Sequence, residues 1–142
     1  MKKLVLILAL SLGLATVAFS QSQYIGLRGG YGFSEISYQK DLSSTGRIEA
    51  DLGYSYSYLG ISGLYQVVNP ISSVTGLDWF YGGGAMVAFS PSLNLGVAGN
   101  IGVDYNFSFP LQIALDYRPT FLFLNSAGFQ YSGVAFSARY RF

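Results

Sequence analysis

Most of this sequence alternates, with a period of two, between apolar residues and small or polar residues. The segment from Leu93 to Tyr105 is the clearest case. Apolar side chains occupy its odd positions except Gly99, and Asn, Gly, Ala or Asp occupies its even positions. Successive side chains of a β-strand point to opposite faces, so such a segment has one apolar face and one small or polar face. The pattern predicts strands rather than helices.

Eight alternating segments are predicted, with the bounds 24–34, 48–57, 59–68, 77–89, 93–105, 111–117, 120–125 and 133–142. Pro70, Pro91 and Pro119 fall between segments, where a missing N–H does least harm to a sheet. The segment 120–125 is apolar on both faces, so its orientation is not determined. It is alternatively continuous with the segment 111–117, which would give an odd number of strands.

The first twenty residues are predicted to be a cleavable signal peptide. Two lysines precede an apolar run from Leu4 to Phe19, and small residues at 18 and 20 form a signal-peptidase-like site. A transmembrane anchor is the alternative, but a spanning helix needs about 20 apolar residues. Polar Gln21 ends this run early. The predicted organisation is a signal peptide, residues 1–20, followed by one domain, residues 21–142.

The two faces of the segments differ in a way that is unusual for a protein in water. The apolar face is aliphatic in the middle of a segment and aromatic toward its ends, while the opposite face is mostly Gly, Ala, Ser and charged residues. A core built on the small face would be thin, and the solvent face would be aromatic. The pattern instead predicts an eight-stranded antiparallel up-and-down transmembrane β-barrel with lipid outside and a polar lumen. A soluble β-sandwich with its polar face in water is the alternative.

Charged residues follow the same division, because those that fall within segments lie on the small face. Only 11% of the residues are charged, and five of the seven acidic ones share that face with three arginines. We predict that they form an ionic network in the lumen: Arg28, Glu49, Asp51, Asp78, Asp104, Asp116, Arg118 and Arg139. If Ser90, Pro91 and Ser92 form a short connection, Asp78 lies opposite Asp104. Closure of the barrel would bring Arg28 toward Arg139.

Aromatic residues at the segment ends are predicted to form two girdles at the membrane interfaces. One rim is predicted to contain Tyr31, Phe33, Trp79, Tyr81 and Tyr105, and the other Tyr54, Tyr56, Phe89, Tyr117, Tyr140 and Phe142. The longest connection is predicted at Glu35 to Gly46. It would be extracellular, because both termini of an eight-stranded barrel face the periplasm.

A signal peptide followed by about eight alternating segments resembles the small bacterial outer-membrane β-barrels of the OmpX and OmpA transmembrane-domain kind. The resemblance covers residues 21–142, and Phe136, Tyr140 and Phe142 match the C-terminal signal of such proteins. It implies location in the outer membrane, with lipid and the barrel-assembly machinery as partners. The chain differs from OmpA in having no residues after the last segment for a peptidoglycan-binding domain. It differs from OmpX in its short connections.

The residue inventory excludes several function classes. The chain has no His and no Cys, so neither a Ser–His nor a thiolate site can be built. We predict no catalytic residues, no metal, no cofactor and no nucleic-acid partner, and we expect a monomer. The predicted function is a structural role in envelope integrity, with a largely filled polar lumen. The alternatives are a small-solute pore and, in a different class, a soluble periplasmic or secreted β-barrel that binds an apolar ligand.

Overall fold

The structure, a computed structural model, describes residues 22–55, 58–90, 92–123, 128–130 and 133–142. The predicted signal peptide, residues 1–20, lies outside the described residues, as do Tyr56, Pro91 and residues 124–125. The strands are β1 (Gln23–Gly30), β2 (Phe33–Asp41), β3 (Gly46–Ser55), β4 (Tyr58–Pro70), β5 (Leu77–Ser90), β6 (Ser92–Asn106), β7 (Leu111–Tyr117), β8 (Thr120–Leu122), β9 (Gly128–Gln130) and β10 (Val134–Arg141).

These segments form a closed, antiparallel, up-and-down barrel of eight strands. Each strand from β1 to β6 pairs with the next one along the chain, and β10 pairs with β1 to close the barrel. β7 and β8 both pair with β6 in one continuous register and together form the seventh barrel strand. β9 and β10 form the eighth. The predicted all-β, eight-stranded barrel fold is therefore confirmed, and it is compatible with that of OmpX-like proteins.

A proline explains the break between β7 and β8. From Tyr117 to Thr120 the seventh barrel strand advances three residues, while its partner advances four, from Val134 back to Gln130. The partner therefore has one extra residue, which is a β-bulge. Pro119 accepts a hydrogen bond from the Gly99 N–H of β6 but has no N–H to return to that strand, so one bond of the β6 ladder is missing between β7 and β8.

The prediction was wrong about the second strand. The segment predicted at 24–34 is divided by a turn at Tyr31 and Gly32, and β2 occupies most of the connection predicted at Glu35 to Gly46. Gly32 has a φ of 79°, a left-handed conformation that glycine adopts without strain. The predicted count of eight was correct because two errors cancelled. β2 was missed, whereas 111–117 and 120–125, counted separately, belong to one barrel strand.

The missed strand also changes which end of the barrel each residue occupies. One end, here called the terminal end, contains Gln23, Phe142 and the connections 42–45, 71–76 and 107–110. The other end, the distal end, contains the turn at residues 31–32 and the connection between β5 and β6. The connection that follows β2 therefore lies at the terminal end. The sequence placed it at the opposite end.

The strand pairings also change which aromatic residues belong to each predicted rim. Tyr31, Tyr54 and Phe89 belong to the distal end, whereas Trp79, Tyr81, Tyr105, Tyr140 and Phe142 belong to the terminal end. Tyr117 pairs with Ile101 within the barrel wall rather than at a rim. Phe33 pairs with Gly30 and faces the lumen, where its ring lies 5.3 Å from the Arg28 guanidinium carbon. The turn at 31–32 is the reason, because it reverses the parity of the residues that follow.

The outer surface of the barrel is apolar. Leu27 is 68% exposed, and Val97 and Leu115 are exposed by 51% and 53%. Their neighbours in sequence on the other face, including Arg28 and Asp116, are buried. In the part of the chain that the structure describes, no helix has the length and apolarity needed to cross a membrane.

Candidate functional site in the lumen

The interior of the barrel is filled mainly by polar and charged side chains. They come from alternate positions of every barrel strand, as the period of two requires. The buried polar residues are Gln23, Arg28, Ser37, Gln39, Arg47, Glu49, Asp51, Ser62, Gln66, Asn94, Asn100, Asp104, Gln112, Asp116, Arg118, Thr120, Ser137 and Arg139. The structure places seven of the eight residues predicted for an ionic network among them, and Asp78 is half-buried near the terminal end.

Arg28 on β1 pairs with one carboxylate from the adjacent strand β2 and with one from β7, which lies beyond β10 in the barrel. Its Nη2 lies 2.7 Å from Asp116 Oδ2 and its Nε donates to Asp116 Oδ1 at 3.1 Å, which is a bidentate contact. Its Nη1 lies 2.7 Å from Glu35 Oε2. Arg28 thus bridges β2 and β7 across the site of barrel closure. Arg139, which was expected to approach Arg28, is paired instead with Gly26 along β1.

Glu49 on β3 is the most heavily bonded carboxylate of the lumen. Its two oxygens accept hydrogen bonds from Arg118, Arg139, Gln39 and Gln66. The side chain is 2% exposed, and Arg139 Nη2 lies 3.3 Å from Oε2. A buried carboxylate is stable only with this kind of charge pairing and hydrogen bonding, so Glu49 is the electrostatic centre of the network.

Arg118 connects Glu49 to a second carboxylate on the same strand. Asp51 follows Glu49 by two residues and shares its face, and Arg118 Nη2 lies 2.8 Å from Asp51 Oδ2. Arg118 Nη1 donates to Ser62 Oγ at 3.2 Å. Arg118 faces the lumen because it shares the parity of Asp116 and Thr120, and the register with β6 is continuous across this point.

The expected opposition of two acids near the terminal end is present. Asp78 pairs with Asp104 across β5 and β6, and Ser90 pairs with Ser92 at the connection that fixes this register. Arg47 Nη1 lies 2.7 Å from Asp104 Oδ2 and offsets part of the repulsion. The guanidinium carbon of Arg47 also lies 4.5 Å from the centre of the Phe80 ring, a cation–π contact. Gly102 leaves the space for that ring, since a Cβ there would lie 2.7 Å from Phe80 Cζ.

Uncharged amides join these ion pairs into one network. Gln66 accepts from Arg47 Nε at 2.6 Å and donates to Glu49 Oε2 at 3.1 Å and to Asn100 Oδ1 at 2.7 Å. Asn100 then donates to Asp116 Oδ2 at 3.0 Å. The Arg28, Glu49 and Asp104 clusters are therefore continuous through hydrogen bonds.

Sequence reasoning missed several of these residues. Arg47 was passed over because it precedes the segment predicted from 48, and Glu35 because it was assigned to a loop. Gln39, Gln66, Asn100 and Gln112 were missed as network members because only charged residues were selected. A signal was available for most of them, since Arg47 shares the parity of Glu49 and Gln112 shares that of Asp116.

A few apolar side chains are buried among the polar residues of the lumen. Leu64 and Leu122 are buried, and Gly96 leaves room for Met86 and Leu122 to approach. This resolves the orientation of part of the segment predicted at 120–125. Thr120 and Leu122 face the lumen, whereas Phe121 and Phe123 are exposed on the outer surface.

The predicted girdle and assembly residues lie on the outer surface or at the rims. Trp79 stacks on Tyr81 with ring centres 5.5 Å apart, and Tyr140 stacks on Phe142 at 6.2 Å. Phe136 is exposed on the outer face of β10. These residues are not part of the lumen network.

The lumen around Glu49 is a network of ion pairs and hydrogen bonds between buried side chains. Gln39, Gln66 and Gln112 are 0% exposed and Arg139 is 2% exposed, so water does not reach the side chains at this level of the barrel. Within the described residues, no group of three or more Asp or Glu side chains is arranged to hold a metal ion. Each buried carboxylate among them has at least one arginine partner.

Comparison with known proteins adds no assignment. No protein-family model matches the chain, and no curated protein matches it in sequence.

Proposed function

We propose that this chain is an integral outer-membrane β-barrel whose role is structural, contributing to envelope integrity. One observation carries the proposal: the strands are inverted relative to a water-soluble protein. Aliphatic and aromatic side chains lie exposed around the outside, while arginines and carboxylates are buried inside.

The energetics of the outer surface favour lipid as its solvent. Apolar surface in contact with water costs about 25 cal/mol for each Å², and soluble monomers rarely expose contiguous apolar patches larger than a few hundred Å². Here exposed Leu, Ile, Val and aromatic residues continue around the barrel. In a bilayer the same residues cost nothing, and the closed hydrogen-bond ladder leaves no open sheet edge in the hydrocarbon.

Strand lengths are compatible with a bilayer. A tilted transmembrane strand needs about 9 to 11 residues. β1 and β2 have 8 and 9 residues, whereas β5 and β6 have 14 and 15. The barrel wall is thus longer at β5 and β6 than at β1 and β2.

The packing of the lumen supports a structural role over the alternatives. A pore requires a continuous water path, but the Glu49 cluster occupies the cross-section with unexposed side chains. A soluble barrel that binds an apolar ligand requires an apolar cavity, whereas this lumen is lined by ion pairs along most of its length. Neither alternative is favoured by a specific observation.

The proposal includes a route to the membrane. Residues 1–20 would direct export, and the barrel-assembly machinery would recognise Phe136, Tyr140 and Phe142. Outer-membrane lipid would then surround the monomer.

Membrane fractionation followed by electrophoresis with and without boiling tests this proposal. We expect the protein to sediment with the outer membrane, to resist extraction with carbonate, and to migrate faster unboiled because the closed barrel stays compact in detergent. The boiled half of each sample is the control. Recovery of the folded protein in the soluble fraction would contradict membrane insertion.

A further inference from the structure

Among the described lumen residues, Asp51 is the carboxyl group with the fewest hydrogen-bond partners. It is 2% exposed, and neither of its oxygens accepts a hydrogen bond from an N–H or O–H group of those residues. Its contact with Arg118 Nη2, at 2.8 Å, is an ion pair. Buried polar atoms are nearly always hydrogen-bonded, so a further partner is expected for Asp51.

The carboxyl group of Glu49 is in position to be that partner. Glu49 and Asp51 project from the same face of β3, and their side chains lie within hydrogen-bond reach of each other. Ionised carboxylates can only accept hydrogen bonds, so the contact is repulsive unless one of the two groups holds a proton. Carboxylates this close in a water-free interior do not both ionise.

The donors around Glu49 assign the proton to Asp51. Glu49 already accepts four hydrogen bonds, three at Oε2 and one, from Arg118, at Oε1. A carboxylate oxygen has two lone pairs, so Oε1 can accept one more hydrogen bond. A proton on Glu49 would compete with its four donors, whereas Asp51 loses no hydrogen bond when it is protonated.

The charge balance of the lumen also favours one bound proton. The ion pairs of the described residues join five carboxyl groups to four arginines, which leaves one negative charge in excess. An uncompensated buried charge is costly, and one proton removes it. The groups that surround Asp51 are Glu35 on β2, Glu49 on β3, uncharged Ser62 on β4, Arg28 on β1, Arg118 after β7 and Arg139 on β10.

We propose that the lumen binds one proton at neutral pH, held on Asp51 and donated to Glu49 Oε1. The proton completes the hydrogen bonding of both carboxyl groups and balances the charge of the network. It also couples the stability of the barrel to pH, because its loss places two like charges in contact inside the lumen. The site does not depend on insertion of the barrel in a membrane.

Infrared spectroscopy of the folded barrel in detergent micelles tests the proposal. A protonated carboxyl group has a C=O stretching band that carboxylates lack. At neutral pH we expect such a band, shifted in D2O and displaced by carbon-13 labelling of Asp but not of Glu side chains. Asp51→Asn should lack the band. Asp78→Asn, which removes a half-buried carboxyl group at the terminal end, should retain it.

A second measurement counts the proton. The unfolded chain releases it at neutral pH, because an Asp side chain in water is ionised above about pH 4. Unfolding of the unmodified barrel therefore releases one proton more than unfolding of Asp51→Asn. Relative to that variant, its unfolding constant should rise about tenfold for each pH unit between about pH 5 and 7. Urea titrations at several pH values, followed by Trp79 fluorescence, measure this ratio.

Several results would overturn the proposal. These are the absence of the band from the unmodified barrel at neutral pH, displacement of the band by the Glu label, and persistence of the band in Asp51→Asn. A ratio of unfolding constants that does not change with pH would also overturn it. Failure of Asp51→Asn to fold would count against it as well, because the new amide can donate to Glu49 in place of the proton. The spectrum of the unmodified protein needs no variant to fold.

Discussion

The outer face and the lumen of this barrel are built from the same strands but tolerate opposite substitutions. On the outer face, Val97 and Ile101 are about half exposed, and their contribution to the free energy of unfolding depends on the solvent around them. In the lumen, Glu49 and Arg139 are almost completely buried, and their contribution to the free energy of unfolding depends on their ion-pair and hydrogen-bond partners. From this comparison we expect the stability of the lumen to be sensitive to loss of charge and, in the proposed lipid environment, that of the outer face to be sensitive to its gain.

The largest expected effect comes from removing the central carboxylate of the lumen. Glu49→Ala leaves Arg139 without a carboxylate partner among the described residues and takes one partner from Arg118. An uncompensated buried charge typically costs about 3–5 kcal/mol, so we expect a loss of that size in the free energy of unfolding. Urea unfolding in lipid vesicles, followed by Trp79 fluorescence, measures it.

A double variant is the control for this prediction. Glu49→Leu combined with Arg139→Leu removes both members of one ion pair and leaves no unpaired charge between them. We expect the double variant to recover part of the stability that Glu49→Ala loses, since it leaves no unpaired Arg139 charge but still deprives Gln39 and Gln66 of an acceptor. If Glu49→Ala lowers the free energy of unfolding by less than about 1 kcal/mol, the stability of the lumen network does not depend on Glu49.

The next largest effect tests the outer face. Val97 lies near the middle of β6 and faces outward, so Val97→Lys would place a charge in the hydrocarbon. We expect a loss of about 2–4 kcal/mol in lipid vesicles. Val74→Lys is the matched control, because Val74 is exposed in the connection 71–76 and should tolerate the same change. Equal stability of the two variants in vesicles would mean that position 97 does not face lipid.

A smaller effect, of opposite sign, is expected at the terminal end. Asp78→Asn removes the repulsion between Asp78 and Asp104 while keeping a group that can bond to Asn106. We expect a gain of up to about 1 kcal/mol in the free energy of unfolding, within the range measured for partly exposed charge pairs. The same urea unfolding series measures it, and a clear loss would show that Asp78 has a favourable partner that outweighs Asp104.

The division between the faces could be predicted from the sequence because it depends only on the parity of positions along a strand. The opposition of Asp78 and Asp104 followed from parity together with one short connection. β2 could not be recognised in the same way. Its outer face contains Ser34 and Lys40 beside Ile36 and Tyr38, so the apolar half of the pattern is weak, and the turn before it is marked only by Gly32. Strand pairing across the barrel, not local sequence, makes this segment a strand.

The ring of contacts around Glu49 also lay beyond sequence reasoning. Parity places Arg118, Arg139 and Glu49 inside, but it does not say which strands face one another across the lumen. That depends on the stagger between strands, which parity does not determine. Parity, together with the cost of burying unpaired charge, predicted that the lumen arginines and acids pair, and the geometry decided which of them do.

The smallest expected effect is on ion flow, and it tests whether the lumen is closed. Because Gln39, Gln66 and Gln112 have no solvent-exposed surface, we expect no steady conductance from the folded protein in a planar bilayer. Arg139→Ala, which removes a large side chain at the same level, is the positive comparison and should admit water and raise the current. Steady single-channel current from the unmodified protein would contradict a filled lumen. Such a current would favour the pore as the function. The side chains around Glu49 would then have to move to open a path for ions.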